Sequence, residues 1–264
     1  MSATSSEVDT VIAERADGVL TLTLSHPGKR NALSSGMYEA LSTHVANASI
    51  DDSIHAVIIR GGGDEGFAAG TDISSFADFD GAADGLAYER RVGAVLRAIQ
   101  VLPMPTIAVV RGAAVGAGLA IAASCDIVIA ERSAVFGAPI ARTLGNCLPA
   151  PVVSRLMSRM GTGVALGMLL TAALVPASRM YGTGFVHEIA DEEQLDGVVS
   201  AVVRGIGRSA PLSLRSLKAT VSRIESVHEV PSNDDLLESC YGSADFTEGV
   251  EAFLQKRHPN WKGI

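Results

Sequence analysis

The sequence has few cysteines, few aromatic residues and no excess of positive charge. Its 264 residues include Cys125, Cys147 and Cys240, and none of these stands in a CxxC pair. An odd number of cysteines without metal-ligand spacing favours neither a disulfide framework nor a zinc site. Lys and Arg number 21 against 29 Asp and Glu, which gives a formal net charge of −8. Because nucleic-acid binders normally carry a basic excess, this balance argues against a nucleic-acid partner.

Long hydrophobic runs are also missing. The longest apolar run lies between Arg111 and Asp126, and it is shorter than the ~20 residues that a membrane-spanning helix needs. The first ten residues, MSATSSEVDT, contain neither the basic nor the apolar region of a secretory signal. We therefore expect a cytoplasmic protein that does not enter a membrane and holds no metal.

Apolar periodicity predicts an α/β fold. TVIAERADGVLTLTLS alternates around Asp17-Gly18, which is typical of a β-hairpin. Buried strands are predicted at 56–63 (AVIIRGGG), in PTIAVVRG and in DIVIAE, and they alternate with predicted helices from Ser34 or Ser35 to Ser49, over 84–102 and over 112–126. This alternation favours βαβ-type units. One further strand is predicted in FVHEI, and helices are predicted over 149–159, 163–171, 177–182, 191–209, 211–228, 232–241 and 246–256.

The stretch GAAVGAGLAIAASCD, residues 112–126, places glycines where a strand turns into a helix. A Walker A loop ends in Gly-Lys-Ser/Thr, whereas Gly118 is followed by Leu119 and Ala120. A dinucleotide fingerprint needs a small residue where Ile121 stands. Two interpretations remain. The glycines allow backbone to pack on backbone, or they present the first amides of a helix to an anion or a developing oxyanion.

A second segment has the same character. GGGDEGFAAGTDISSF also ends a strand with glycines and enters a short helix, which leaves free N–H groups near Gly70 and Thr71. If the two turns face each other, their amides make a two-donor oxyanion hole.

Five segments form a set that spans nearly the whole chain. They are HPGKRNALSSGMYEAL, FAAGTDISSF, PTIAVVRGAAVGAGLAIAASCDIVIAERSAVFGAP, LVPASRMYGTGFVHEI and FTEGVEAFLQKRHPNW. Together they resemble the crotonase superfamily, also called the enoyl-CoA hydratase/isomerase family. The resemblance implies an α/β spiral of ββα units with a helical C-terminal region that assembles a homotrimer or a hexamer of two trimers. On this basis we expect a core with the acyl-CoA site at 1–200 and a helical region at 201–264.

The resemblance also implies a ligand and a site. The ligands are acyl-CoA thioesters, and no cofactor is implied beyond the coenzyme A of the substrate. Thr71 and Ala117 are the positions whose backbone N–H groups receive the thioester carbonyl and stabilise its enolate. The implied substrate-binding residues are Lys29, Arg30, Ala69, Asp72, Ile73, Phe253 and Lys256, of which the last two lie on the last helix. For Lys29, Arg30 and Lys256 a solvated surface charge is the alternative, and for Asp72 a place at a helix N-terminus.

The glutamate pair that hydratases of this family use as acid and base is missing. The first glutamate would stand at Ala120, and the second at Ile140 or, because the segment is one residue longer, at Ala141. No Asp or Glu occurs between Glu131 and Glu188, so no shift of the alignment restores one. General acid–base groups contribute about 10²–10⁴-fold each. We therefore expect ordinary hydration to be all but abolished.

Arg142, Thr143, Asn146 and Cys147 are the polar side chains that remain near the second position. Arg142 can bind a substrate carboxylate, and Asn146 can orient a water or a carbonyl, with helix capping before Leu148-Pro149 as the alternative. The sequence thus predicts an acyl-CoA-processing enzyme that stabilises an enolate for isomerisation, decarboxylation, C–C cleavage or a specialised hydration. The alternative is a non-catalytic acyl-CoA-binding protein.

Overall fold

The computed structural model describes residues 9–227 and 230–264. Its larger sheet has six strands in the order β1-β2-β3-β4-β6-β9, and its smaller sheet has three in the order β5-β7-β8. In the larger sheet β1 and β2 are antiparallel, and the other neighbouring pairs are parallel. The strands are β1 (Thr10–Ala16), β2 (Val19–Ser25), β3 (Ala56–Gly61), β4 (Thr106–Val110), β5 (Ala113–Val115), β6 (Ile127–Glu131), β7 (Val135–Gly137), β8 (Val175–Pro176) and β9 (Glu188–Ala190).

Helices alternate with the strands and then dominate the second half of the chain, which confirms the predicted α/β class. A 3₁₀ helix, Ile73–Asp78, follows the second glycine-rich segment. The α-helices are α1 (Ser35–Ser49), α2 (Ala82–Gln100), α3 (Ala117–Ser124), α4 (Ile140–Thr143), α5 (Ala150–Met160), α6 (Thr162–Thr171), α7 (Ala177–Gly182), α8 (Glu192–Gly207), α9 (Pro211–Glu225), α10 (Asp234–Tyr241) and α11 (Ala244–Leu254).

The N-terminal hairpin forms as predicted. Asp17 and Gly18 both take positive φ values, 50° and 75°, which the tight turn between β1 and β2 requires. Helix α1 begins where the Ser34 side chain accepts a hydrogen bond of 3.2 Å from the Met37 amide, as expected of an N-cap. Its apolar face buries Met37 and Leu41 against the core.

The prediction of one helix over 112–126 is wrong at its start. Residues Ala113–Val115 form β5, which pairs in parallel with β7, and α3 begins only at Ala117. The strands β7 and β8 were also not predicted, and the strand expected at 185–189 lies at Glu188–Ala190. Strands of two or three residues are too short to show an alternating pattern in the sequence.

The predicted helices beyond residue 149 are confirmed with small shifts of their ends. The helix expected over 211–228 ends at Glu225, and its expected last residue lies outside the described residues. The expected boundary between residues 200 and 201 falls inside α8, which packs on β6 and β9. Farther along, α10 packs on α2, and α11 packs on the 3₁₀ helix and α4. None of the helices in the described ranges is long and apolar enough to cross a membrane.

Helix α3 is almost entirely buried, and two arginines of α5 hold its C-terminal end. Every residue from Gly118 to Ser124 is buried. Arg155 Nε donates to the Ala123 carbonyl at 2.9 Å, and Arg159 Nη2 donates to the Asp126 carbonyl at 3.0 Å. Cationic donors at this end satisfy free carbonyls and complement the helix dipole. The arginines therefore help to fix the helix whose other end carries Ala117.

Replacing Arg155 by Met tests this anchor. The Arg155 side chain is 13% exposed, and its Nη1 also lies 2.7 Å from Glu225 Oε1. Because the substitution leaves a buried carbonyl and a carboxylate without their donor, we expect a loss of about 1–3 kcal/mol in the free energy of unfolding, measured in urea. Arg215→Met is the control, since Arg215 pairs on the surface with Asp52 and its loss should change stability by less than about 0.5 kcal/mol. Equal losses in the two variants would contradict the anchoring role.

Candidate active site

Two glycine turns lie in contact at the centre of the molecule. The Ala68 amide donates to the Ala113 carbonyl at 3.1 Å, and the Val115 amide donates to the Ala68 carbonyl at 2.9 Å. These bonds hold the segment before Gly70 beside β5. Gly70 and Gly116 follow with φ values of 114° and 54°, and a Cβ added to Gly116 would lie 3.6 Å from the Gly70 Cα. The turns that precede Thr71 and Ala117 are therefore neighbours.

The amides of Thr71 and Ala117 have no acceptor among the described residues. Ala117 is the first residue of α3, so the helix itself supplies no acceptor for its N–H. At the other turn, the Leu33 amide donates to the Gly70 carbonyl, and the Asp72 amide donates to the Leu33 carbonyl. This pairing uses the groups on either side of Thr71 and leaves its N–H free. The structure brings the two turns together, and the binding of a carbonyl between them stays a prediction.

A chain of three hydroxyl groups supports Thr71. Thr71 Oγ1 lies 2.7 Å from Tyr38 Oη and 2.5 Å from Tyr88 Oη. Burial raises the pKa of Tyr38 to about 12 and that of Tyr88 well above its ordinary value. Both tyrosines are therefore neutral and do not oppose negative charge at the adjacent amide. Neither tyrosine was predicted as a site residue. In the sequence each occupies one of the apolar positions of a helix, and such a position does not indicate a hydrogen bond to Thr71.

Asp72 occupies the helix N-terminus that was the alternative considered for it. Its Oδ1 accepts a hydrogen bond of 3.1 Å from the Ser74 amide and so caps the 3₁₀ helix. Its Oδ2 lies 3.7 Å from Lys29 Nζ. Burial raises the pKa of Asp72, but the Ser74 hydrogen bonds and the Lys29 charge outweigh burial and lower it below the ordinary value. Asp72 is thus an ionised N-cap that holds Lys29 near the N-terminus of the 3₁₀ helix.

The early loop is tied to the same segment. The Ala69 amide donates to the Arg30 carbonyl at 3.0 Å. Glu65 accepts hydrogen bonds of 2.6 Å from the amides of Gly28 and Arg30, and Arg30 itself has a positive φ of 52°. The structure therefore brings Lys29, Arg30 and Ala69 together, and their place on one ligand path stays a prediction. Glu65 was not predicted, because nothing in the sequence marks a carboxylate that bonds backbone amides.

The remaining predicted path residues differ in exposure. Ile73 is 8% exposed and belongs to the core. Phe253 lies on α11 and is 50% exposed. Lys256 is also exposed, but it follows the end of α11 with a φ of 54°, so its expected place on the last helix is wrong. Helix α11 packs on the 3₁₀ helix that follows Thr71.

No carboxylate stands at the two positions where the acid pair was expected. Ala120 is 6% exposed in the first turn of α3, and its amide donates to the Gly116 carbonyl. Ile140 begins α4 and packs against the core, while Ala141 and Arg142 are exposed. The Ala and Ile side chains at these positions have no group that can take up or release a proton.

Asn146 is buried in a polar group that the sequence did not predict. Its side chain donates through Nδ2 to Tyr241 Oη at 3.1 Å, and Tyr241 donates to Glu89 Oε1 at 2.5 Å. The helix-capping interpretation of Asn146 is wrong. Asn233 takes that role instead, because its Oδ1 accepts a hydrogen bond of 2.7 Å from the Ala150 amide at the start of α5.

Glu89 is the partly buried carboxyl of this group. Burial raises its pKa to about 7, and the hydrogen bond from Tyr241 opposes that rise. Glu89 follows Tyr88 on α2, which packs on α3 and on α10. In the sequence it is one charged residue in AYERR, a pattern typical of a solvent-facing helix surface. Only the packing of a distant helix reveals that it is covered.

A separate cleft lies on another side of the larger sheet. It encloses about 320 Å³ between β3, β4 and α8, with Arg60 and Arg111 among its lining residues. Neither Thr71 nor Ala117 lines it, and Arg111 pairs there with Asp196 at 3.5 Å. It is therefore not part of the candidate site.

Comparison with known proteins identifies the family. The family model for enoyl-CoA hydratase/isomerase matches residues 14–264. The chain belongs to the enoyl-CoA hydratase/isomerase family. The resemblance predicted from the five motifs is thereby confirmed over nearly the whole chain.

Curated relatives and solved structures agree. The chain is 32% identical over 250 residues to the probable enoyl-CoA hydratase echA6 of Mycobacterium tuberculosis, covering 94% of this chain and 98% of that protein. It is 32% identical over 256 residues to the 2,3-dehydroadipyl-CoA hydratase of Escherichia coli, covering 96% and 98%. A solved methylmalonyl-CoA decarboxylase in complex with 2-nitronate-propionyl-CoA matches with a TM-score of 0.87 and 25% identity, covering 96% and 98%. This is a crotonase-type α/β fold of the acyl-CoA-processing family, with C-terminal helices.

Replacing Thr71 by Val tests the hydroxyl chain. The substitution removes the shared partner of Tyr38 and Tyr88, whose hydroxyls are buried. We expect the free energy of unfolding in urea to fall by about 1–3 kcal/mol. Thr43→Val is the control, because Thr43 is exposed and bonds only the Glu39 carbonyl of its own helix. A Thr71 variant as stable as the control would show that the three linked hydroxyl groups do not contribute to the free energy of unfolding.

Replacing Glu89 by Gln tests its titration. In the folded state its pKa is raised from 4.5 to about 7, so its contribution is full below 4.5 and is lost as the pH rises through 7. The Gln variant lacks this loss. Between about pH 5 and about pH 8 the native protein should therefore lose about 3 kcal/mol in its free energy of unfolding relative to the Gln variant, measured by urea unfolding. In Tyr241→Phe the pH range over which this stability is lost should move upward, because the hydrogen bond that lowers the Glu89 pKa is gone. Parallel pH curves for the native and Gln proteins would contradict the assignment.

Proposed function

We propose that this protein binds an acyl-CoA with the thioester oxygen on the backbone amides of Thr71 and Ala117, and stabilises the enolate that forms there. The support is the contact between the two glycine turns, together with the lack of any acceptor for the two amides among the described residues. Preorganised donors at a developing oxyanion are a large catalytic factor, and removal of one costs about 10²–10³-fold in rate. Because the donors are backbone atoms, Thr and Ala serve equally well.

Ordinary hydration does not fit this site, although two of the relatives are named hydratases. Hydration needs one group to activate the water and one to protonate the α-carbon. Ala120 and Ile140 can do neither. We propose instead a reaction in which the enolate is the main requirement: isomerisation, decarboxylation, C–C cleavage, or a hydration that uses other groups.

Of these reactions, decarboxylation depends least on the missing general acid and base. Loss of CO₂ from a malonyl-type thioester leaves its electron pair on the α-carbon as the enolate, so no base has to remove a proton. One solved structure that matches this chain is that of a methylmalonyl-CoA decarboxylase. Arg142 is exposed on α4 and forms no ion pair with any residue in the described ranges, so it is free to hold a substrate carboxylate.

The coenzyme A part is proposed to follow the early loop. Lys29 and Arg30 lie beside Ala69 and Asp72, and both cations are exposed where a nucleotide phosphate can reach them. Ile73, Phe253 and Lys256 extend the proposed path toward α11. The pairing of Lys29 with Asp72 keeps the lysine in place before the ligand arrives.

We propose that the assembly is a homotrimer or a hexamer built from it. No residue of α9 is buried in the single chain. Its large apolar side chains Leu212, Leu217 and Ile224 are 75%, 64% and 66% exposed. An exposed apolar face of this kind marks a protein interface.

The alternative is a non-catalytic acyl-CoA-binding protein. It keeps the same amides and the same coenzyme A contacts, so binding alone does not separate the two functions. The discriminating measurement is turnover of a panel of enoyl-, malonyl- and β-ketoacyl-CoAs by the purified protein. A catalyst converts at least one of them, and a carrier binds without converting any.

Replacing Ala117 by Pro deletes one proposed donor. Proline lacks the N–H, yet it is well tolerated as the first residue of a helix, which is the position of Ala117. We expect acyl-CoA binding, measured by titration calorimetry, to weaken by about tenfold or more, and any turnover to fall by about 10²–10³-fold.

The matched control is Thr162→Pro, which places proline at the first position of α6. This exposed site should leave binding and turnover unchanged. If the Ala117 variant folds and binds acyl-CoA like the control, the oxyanion assignment is wrong.

A further inference from the structure

Asn146 contains an acceptor that the protein does not use. The residue is 7% exposed, and its Oδ1 is the buried side-chain polar atom in the described residues without a hydrogen-bond partner. Leaving such an atom unpaired destabilises the folded protein, because the atom gives up its hydrogen bonds to water. Native structures rarely retain that cost without a water, an ion or a ligand group to pair with the atom.

The neighbouring groups fix which end of the Asn146 amide is free. Once Glu89 is ionised, its carboxylate can only accept hydrogen bonds, so the Tyr241 hydroxyl donates to it. The Tyr241 oxygen then accepts from the amide nitrogen of Asn146. The direction of these two hydrogen bonds leaves Oδ1 of Asn146 as the free atom. Oδ1 can pair only with a donor.

The group is connected at both ends to the turns of the candidate site. On one side, Glu89 follows Tyr88, whose hydroxyl contacts Thr71 Oγ1. On the other side, the segment that leads through α4 to Asn146 starts at Gly137, whose carbonyl accepts a hydrogen bond of 2.9 Å from the Gly116 amide. Asn146 is therefore held by the same elements that hold the two free amides.

Aromatic rings pack around the Tyr241 end of the group. The Tyr241 ring lies 4.8 Å from that of Phe246 and 6.4 Å from that of Phe79, measured between centroids. The ring of Phe76 in turn lies 4.9 Å from that of Tyr88. The Tyr241 end of the group is therefore packed within an aromatic cluster, which keeps its hydrogen bonds in apolar surroundings.

We propose that Asn146 is a specificity-determining residue whose Oδ1 accepts a hydrogen bond from a hydroxyl group on the acyl chain, so that the preferred ligand is a hydroxyacyl-CoA. Tyr241 and Glu89 act through Asn146 and are positioning residues. The proposal rests on the proposed function, because the amides of Thr71 and Ala117 hold the thioester end of the same ligand. A site built for a hydroxyl disfavours the analogue that lacks it, since the buried acceptor is then left unpaired.

The test compares straight-chain acyl-CoAs that carry one hydroxyl, at each position from the third to the sixth carbon, with the plain acyl-CoA of the same length. Binding to the full-length protein is measured by titration calorimetry at about pH 8, where Glu89 is ionised. We expect one hydroxylated isomer to bind about tenfold more tightly than the plain thioester.

Three variants locate the effect. Asn146→Leu removes the acceptor at similar volume and should abolish the preference, with binding of the plain thioester retained. Tyr241→Phe should reduce the preference, because the amide loses the partner that orients it. Thr143→Val is the matched control, since the Thr143 hydroxyl already donates to the Pro139 carbonyl of its own turn, and it should keep the preference.

The outcomes are distinct. Equal binding of hydroxylated and plain thioesters by the native protein overturns this inference, assigns the Oδ1 partner to water and leaves the proposed function standing. A preference that persists in Asn146→Leu also overturns it. Absence of binding to any thioester overturns the proposed function itself. If the Leu variant does not fold, the native comparison and Tyr241→Phe still decide.

Discussion

The site depends on the close approach of two backbone segments. Ala68 bonds to both Ala113 and Val115, and this pairing works only because glycines stand where the chains touch. A Cβ on Gly118 would lie 2.2 Å from the Ala68 carbonyl oxygen, inside any allowed contact. The glycines therefore serve packing first. Because the packed turns end at Thr71 and Ala117, the same constraint also leaves two amides without an acceptor among the described residues.

The groups packed around the two amides are either uncharged or already hydrogen-bonded. The hydroxyls of Tyr38 and Tyr88 are kept protonated by burial, so they fix Thr71 without adding negative charge. The far end of α3 is held by Arg155 and Arg159, which complement the helix dipole. The free amide of Ala117 thus lies at the positive end of an anchored helix, where an anionic group is favoured.

The sequence predicted most of the fold and singled out the two glycine turns that the structure brings together. Long elements such as α1 and α8 follow from apolar periodicity, and the capping Ser34 follows from its position before α1. The short strands β7 and β8 do not, because two or three residues carry no period. The roles of Glu89 and Asn146 were not predictable either. Their shared partner, Tyr241, is separated from Glu89 by 152 positions in the chain, and such contacts leave no local pattern.

The position of Glu89 decides what a carboxyl can still do in this molecule. A carboxyl whose pKa is raised to about 7 has the acidity that general acid–base catalysis needs. A catalytic base must, however, reach the proton it removes, and Glu89 is bonded to Tyr241 instead. Its charge fixes the direction of the Tyr241 hydroxyl, and that hydroxyl fixes the Asn146 amide. Glu89 therefore has the acidity of a general acid–base group but the position of one that orients other polar groups, because its bond to Tyr241 fixes the buried Asn146 amide.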